Sequence, residues 1–143
     1  MSYNQNPFND QMEFMHAAGP SCGVYNDEQL ALYVDLIDEE FTEAISATTA
    51  DNFLKELADL LVVTIGALYS IGANPQEVWN EVHRSNMSKL TDGVLQKRED
   101  GKVLKGPNYK PANLKPMVKR IVGIPTAEVI EVIAEEPNNA LSH

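Results

Sequence analysis

Two long stretches of the chain carry apolar residues at helical spacing, with one short polar break between them. The first set is Leu30, Tyr33, Val34, Ile37, Phe41, Ala44, Ile45 and Thr48; the second is Phe53, Leu54, Leu57, Leu60, Leu61, Thr64, Ile65 and Leu68. Steps of three and four residues put each set on one side of an α-helix. SATTADN at 46–52 holds the turn, and two amphipathic helices joined so tightly fold back on each other. The expected fold class is therefore all-α, an antiparallel helical bundle. Local signals agree. Asn26 heads NDEQ, with Gln29 three places on, a start resembling a capping box. Gly72 sits where a helix over 51–71 needs its C′ residue. NPQE at 74–77 combines an N-cap Asn, Pro at N1 and Glu at N3, and opens a third core helix to about residue 91 with Val78, Trp79 and Val82 inward. A short helix over 9–17 precedes all of these and is broken by AAGPSCG at 17–23.

Beyond the third core helix the chain changes character. Residues 92–113 are basic and contain the turn signals EDG and GPNY. They are expected to form a basic loop or small hairpin, with VLQKREDGKVLK as the hairpin. A further helix is expected over 114–122, ended by Gly123, while TAEVIEVIAEE at 126–136 suits helix or strand alike. With 143 residues, 43% of them hydrophobic, the chain is read as a single domain over 1–143, with a core over about 26–114 and an extension over 115–143.

Charge is unevenly spread. Residues 1–83 hold 14 acids and one base, Lys55; residues 84–120 hold 10 bases and 3 acids; residues 121–143 hold 4 acids. An acidic body suits a cation and a basic arm suits an anion. The net charge of −10 argues against sequence-independent nucleic-acid binding. One cysteine, Cys22, excludes an intrachain disulfide and fits a reducing compartment. The start, MSYNQNPFND, lacks the basic and apolar regions of a signal peptide. The longest apolar run, LLVVTIGAL at 60–68, is far short of the roughly 20 residues that span a membrane. A cytoplasmic protein with no membrane partner is expected.

The acids of the two long helices form a pattern. DEEFTE at 38–43 puts four carboxylates in six positions, and KELAD at 55–59 adds Glu56 and Asp59. Like charges three or four apart cost an isolated helix about 0.2–0.5 kcal/mol per pair, so such crowding is solvated or serves a cation. With Ile37 as the centre of its stripe, Glu40 falls at about −60° and Glu43 at about −120°, while Glu39 points away. With Leu57 as the centre of the second stripe, Glu56 falls at about −100° and Asp59 at about −160°. An antiparallel pair brings these flanks to the same side. Glu43 and Glu56 are equally far from the turn, as are Glu40 and Asp59. Four carboxylates thus converge, and oxygen-only donors suit a hard divalent ion, Mg²⁺ or else Mn²⁺. The two long helices hold no histidine, so neither carries the Glu-x-x-His pair of a di-iron site, and Asn80 stands three residues before His83.

E-x-x-E at Glu40 and Glu43, a gap of twelve residues, then E-x-x-D at Glu56 and Asp59 resembles the signature of the all-α nucleotide pyrophosphatases. HRSNMSKL at 83–90 and REDGKVLKGPNYKP at 98–111 are similar to its phosphoribosyl-ATP pyrophosphatase-like, MazG-like branch. The resemblance covers about residues 26–114. It implies a helical bundle acting as a homodimer or homotetramer, and Mg²⁺-dependent hydrolysis of a nucleoside triphosphate to monophosphate and pyrophosphate. Glu40, Glu43, Glu56 and Asp59 would be the metal ligands and catalytic residues. Asn86 and Lys89 match polar positions of the family's third helix that approach metal and phosphates. Arg84, Lys89, Lys102 and Lys105 would meet the polyphosphate, with Gly101 and Gly106 letting the loop close, and Tyr109 would stack on base or ribose. Two alternatives stand beside this reading: hydrolysis of phosphoribosyl-ATP at the same site, and a non-catalytic helical interaction module whose acidic groove takes a basic partner.

Overall fold

The computed structural model describes residues 6–125. Among them are five α-helices and no strand: α1 (Pro7–Ala18), α2 (Asp27–Ser46), α3 (Ala50–Ser70), α4 (Pro75–Met87) and α5 (Lys115–Arg120). The chain is all-α, as its periodicity implied, and α2 and α3 pack closely. The stretch 126–136 lies outside the described residues. Two compact units divide the chain. One is Met1–Pro75 with Ile121–His143, and the other is Gln76–Arg120.

In the first unit the helix ends follow the local chemistry. Asn6 caps α1, accepting from the Phe8 amide at 2.9 Å, and Pro7 takes the first helical position. Asn26 caps α2 through the Gln29 amide at 3.0 Å. Gln29 does not complete a capping box. Its side chain bonds both the amide and the carbonyl of Ser21 and donates to Ser70 Oγ at 2.8 Å. The Asn26 amide meets the Ser70 carbonyl at 2.9 Å instead. The start of α2 is thereby tied to the end of α3. Thr49 caps α3 from the short turn, and Gly72, in the left-handed region, follows the C-cap Ile71.

The antiparallel pair packs tightly at Gly66. A Cβ placed there would lie 2.2 Å from Tyr33 Cε1, so the ring of Tyr33 packs directly on the α3 backbone. Met15, Tyr33, Val63, Ile65 and Tyr69 form the buried core, with Phe8, Met12, Leu36, Ile37 and Leu60 packed against it. The Tyr69 hydroxyl donates to the Phe8 carbonyl at 2.9 Å and fastens α1 to α3.

Burial on α3 departs from the sequence expectation. Val63, Ile65, Gly66, Tyr69 and Ser70 are buried, and of these Val63, Gly66 and Ser70 lie on the flank of Glu56 and Asp59. The expected inward stripe is met only in part: Ile65 is buried and Leu60 packs against the core, but Leu54 is 67% and Leu61 66% exposed, with Phe53 and Leu57 also exposed. Phe41 and Ile45 of α2 are open as well. The stripe marks the most apolar side of α3, but the glycine side accepts the Tyr33 ring, and closest approach decides which side faces α2. Among the described residues no single helix is long and apolar enough to cross a membrane.

The second unit begins at Gln76, the second residue of α4. α4 ends at Met87, four residues before the expected end, and Trp79 and Val82 are exposed rather than inward. The basic loop follows. Its hairpin is reduced to one antiparallel bridge, Lys97 with Val103, closed by an Arg98 amide to Lys102 carbonyl bond of 2.8 Å. Arg120 of α5 pairs with Glu77 at 2.8 Å.

Gly66→Ala is expected to lower stability by about 1–3 kcal/mol, because the methyl group must push the Tyr33 ring or the α2 backbone aside. Urea denaturation measures it; a variant as stable as the wild-type chain would show that the contact yields freely.

Candidate functional site

Glu40 and Glu43 stand one turn apart on α2, and α3 presents Glu56 to them because its glycine side faces α2. One carboxylate oxygen from each of the three lies within 4.8 Å of the others. Among the described residues this is the one group of His, Cys, Asp or Glu side chains close enough to hold a metal ion. Glu40 Oε2 and Glu56 Oε2 are buried and make no hydrogen bond. Buried polar atoms are nearly always partnered, and a bare anionic oxygen is costly. Burial first, then the facing Glu56 carboxyl, and then the charges of Glu43 and Asp59, push Glu40 up to about 7. The Glu56 carboxyl, followed by burial, also raises Glu43. Glu39 is exposed, as its place on the helix wheel implied.

Asp59 stands beside the trio. Its Oδ2 accepts from Lys55 Nζ at 2.7 Å, and the same ammonium reaches Glu56 Oε1 at 3.4 Å. The charge of Asp59 still contributes to the upward shift of Glu40. Asp59 and then Glu56 hold Lys55 well above the ordinary lysine range. The structure thus gathers three of the four expected ligands and leaves the fourth on an ammonium.

The donors present are all carboxylate oxygens, a set that fits a hard divalent cation. The two bare buried oxygens are where such an ion would find its strongest electrostatic welcome, since charge is least screened there.

The remaining expected site residues lie in the second unit. Lys89 Nζ donates to Asn86 Oδ1 at 3.0 Å on the last turn of α4. Lys105 Nζ lies 4.7 Å from the centre of the Tyr109 ring, a cation–π contact. Lys102 is exposed, and its amide bonds Asp100 Oδ1 at 3.0 Å. Arg84 is committed within the unit. Its guanidinium pairs with both oxygens of Glu81 and reaches the carbonyls of Lys110 and Pro111. Glu81 also accepts from the Asn113 amide at 3.0 Å, and Arg84, then that amide, hold it down to about 2. Gly106 is the tight point of the loop: a Cβ there would sit 2.6 Å from Thr91 Oγ1 and 2.9 Å from the Lys89 carbonyl.

Two residues of consequence escaped the sequence reading. Lys55 had a visible signal, being the lone base of residues 1–83 and four residues before Asp59. Glu81 had only its i,i+3 spacing to Arg84, which is commonplace on a helix surface.

The all-α fold carries its carboxylate cluster on the packed pair α2 and α3, and the family match makes it a hydrolase acting on phosphoric anhydrides. The model of the phosphoribosyl-ATP pyrophosphohydrolase family matches residues 8–86, more than half of the chain. The chain belongs to that family, within the MazG-like nucleotide pyrophosphatase superfamily. The match begins in α1, earlier than the resemblance placed it, so the first helix is part of the family fold. A search of curated proteins found no match. The family is one of enzymes and is typically metal-dependent, which removes the interaction-module reading.

Folded Glu40 keeps its proton to about pH 7, against an ordinary 4.5. Across that interval the folded chain binds more protons than the unfolded one, so stability falls as pH rises. In metal-free buffer the Tm is expected to drop between those pH values by more than in Glu40→Gln, whose amide does not titrate. A difference between the two proteins that stays constant with pH contradicts the assignment.

Proposed function

We propose that this pyrophosphohydrolase cleaves a nucleoside or deoxynucleoside triphosphate to the monophosphate and pyrophosphate, with Mg²⁺ as its ion. The observation that carries the reading is the pair of buried, unbonded oxygens on Glu40 and Glu56. Glu40, Glu43, Glu56 and Asp59 would hold the ion, and Mn²⁺ suits the same donors. A divalent cation bound there supplies neutralising charge for the phosphates and acidifies the attacking water. The chain's own part is to fix the carboxylates before substrate arrives. A carboxylate not committed to metal takes the proton of the water. In this reading Arg84, Lys89, Lys102 and Lys105 give positive charge to the polyphosphate, Asn86 a polar contact beside it, and Tyr109 a stacking surface for base or ribose. The chain acts as one domain, in the cytoplasm, and binds neither nucleic acid nor membrane.

A second reading, hydrolysis of phosphoribosyl-ATP itself, is favoured by the family match. Both reactions release pyrophosphate and use the same carboxylates, so substrate separates them.

We further propose a homo-oligomer, a dimer or tetramer, joined through the open stripe of α3. Phe53, Leu54, Leu57 and Leu61 recur at helical spacing on one side and stay in water in the single chain. Fully burying each such side chain contributes about 1.5–3 kcal/mol. Lone exposed apolar residues are ordinary, but a continuous stripe marks an interaction face.

A pyrophosphate-release screen over the common nucleoside and deoxynucleoside triphosphates and phosphoribosyl-ATP, with and without Mg²⁺, tests the reaction. Turnover of at least one is expected only with the divalent ion. Glu40→Gln is expected to lower it by about 100-fold or more while circular dichroism stays unchanged; full activity in that variant removes Glu40 from the site. Leu61→Glu is expected to shift the chain toward monomer in light scattering, and an unchanged mass would place the interface elsewhere.

A further inference from the structure

The structure assigns Lys55 a role of its own: a resident counter-ion that holds Asp59 aside and releases it when a divalent cation enters the cluster. The inference rests on the metal reading above and adds a residue to it. Lys55 is the one base among 83 residues that carry 14 acids, and it stands at the carboxylates. Its ammonium takes Asp59 Oδ2 at 2.7 Å and Glu56 Oε1 at 3.4 Å. It satisfies the outer edge of the cluster only, because Glu40 Oε2 and Glu56 Oε2 remain without a hydrogen bond. One positive charge serves Asp59 and one oxygen of Glu56, whereas four carboxyl groups gather at the cluster and its edge. A divalent ion among Glu40, Glu43 and Glu56 matches that charge better and competes directly with the ammonium for Glu56 and Asp59.

Exposure makes the exchange cheap. The Lys55 side chain is 65% and that of Asp59 38% exposed, against 14% for Glu56. Ion pairs in water contribute little, and a lysine is a flexible stem that swings into solvent without disturbing the helix. Lys55 therefore sets the divalent concentration at which the fourth carboxylate becomes available. It is a positioning residue, acting through Asp59.

Calorimetric titration of Mg²⁺ and of Mn²⁺ into the full chain tests this at fixed ionic strength. Lys55→Gln is expected to tighten binding by about tenfold, a coupling usual for groups in direct contact. Lys55→Arg, which keeps the charge, is expected to stay within about twofold of the wild-type chain. Removing any positive charge near acids favours a cation, so the cycle with Asp59→Asn is decisive. In that background Lys55→Gln is expected to change affinity by less than about threefold. An equal shift in both backgrounds, or none in either, overturns the exchange while leaving the metal site intact. A wild-type chain that takes up neither ion overturns the metal reading, and the role of Lys55 with it.

Discussion

A carboxylate taken out of water must find a cation, a donor or a proton, and one oxygen of Glu40 and one of Glu56 are held where the protein offers none. The rest of the first unit can be understood from what keeps them there. The ring of Tyr33 rests on Gly66, so α2 and α3 approach closely. Gln29 and the Asn26 amide fasten the start of α2 to Ser70. Caps at Asn26 and Thr49 fix where each helix begins. Like charges that would splay apart on free helices are thus kept together by contacts made elsewhere on the same pair. Folding stability is drawn upon to hold an unfavourable electrostatic arrangement, which is the usual relation between a scaffold and a binding site.

The orientation of α3 has two outcomes that belong together. Turning Gly66 toward α2 carries Glu56 to the helix contact and leaves its side chain 14% exposed. The same turn sends Leu54, Leu57 and Leu61 outward. The open leucines are the other side of the buried acids, and the proposed assembly covers what the site geometry uncovers.

Much of this was legible in the residues. Periods of three and four placed α2 and α3, and the cap residue Asn26 fixed the start of α2. Wheel position and equal distance from the turn led to an expected meeting of Glu40, Glu43, Glu56 and Asp59, and the first three do meet. What failed is instructive. The apolar stripe was taken as the inward face, because periodicity shows which side of a helix is apolar but not which neighbour it meets. A glycine in the middle of an apolar run carries no hydrophobic signal, yet Gly66 decides the contact. Trp79 was expected inward and is exposed at 59% for a related reason: an apolar residue on α4 says nothing about whether this chain alone can cover it. The attachment of Asp59 to Lys55 went unread because opposite charges four apart on a helix ordinarily carry no function.

The basic loop begins and ends at a single hydroxyl. Ser88 Oγ donates to the Ser85 carbonyl at 2.6 Å and accepts the Lys110 amide at 3.0 Å, while the Gly106 amide meets the Lys89 carbonyl at 3.0 Å. Residues 22 apart in sequence are therefore clasped at the base of a ring. Closing a ring costs only about 0.6 kcal/mol more for each doubling of its length. Its rim can gain or lose residues, and trade one side chain for another, while the clasp stays as it is. Variation has room in the circumference, and very little at the knot.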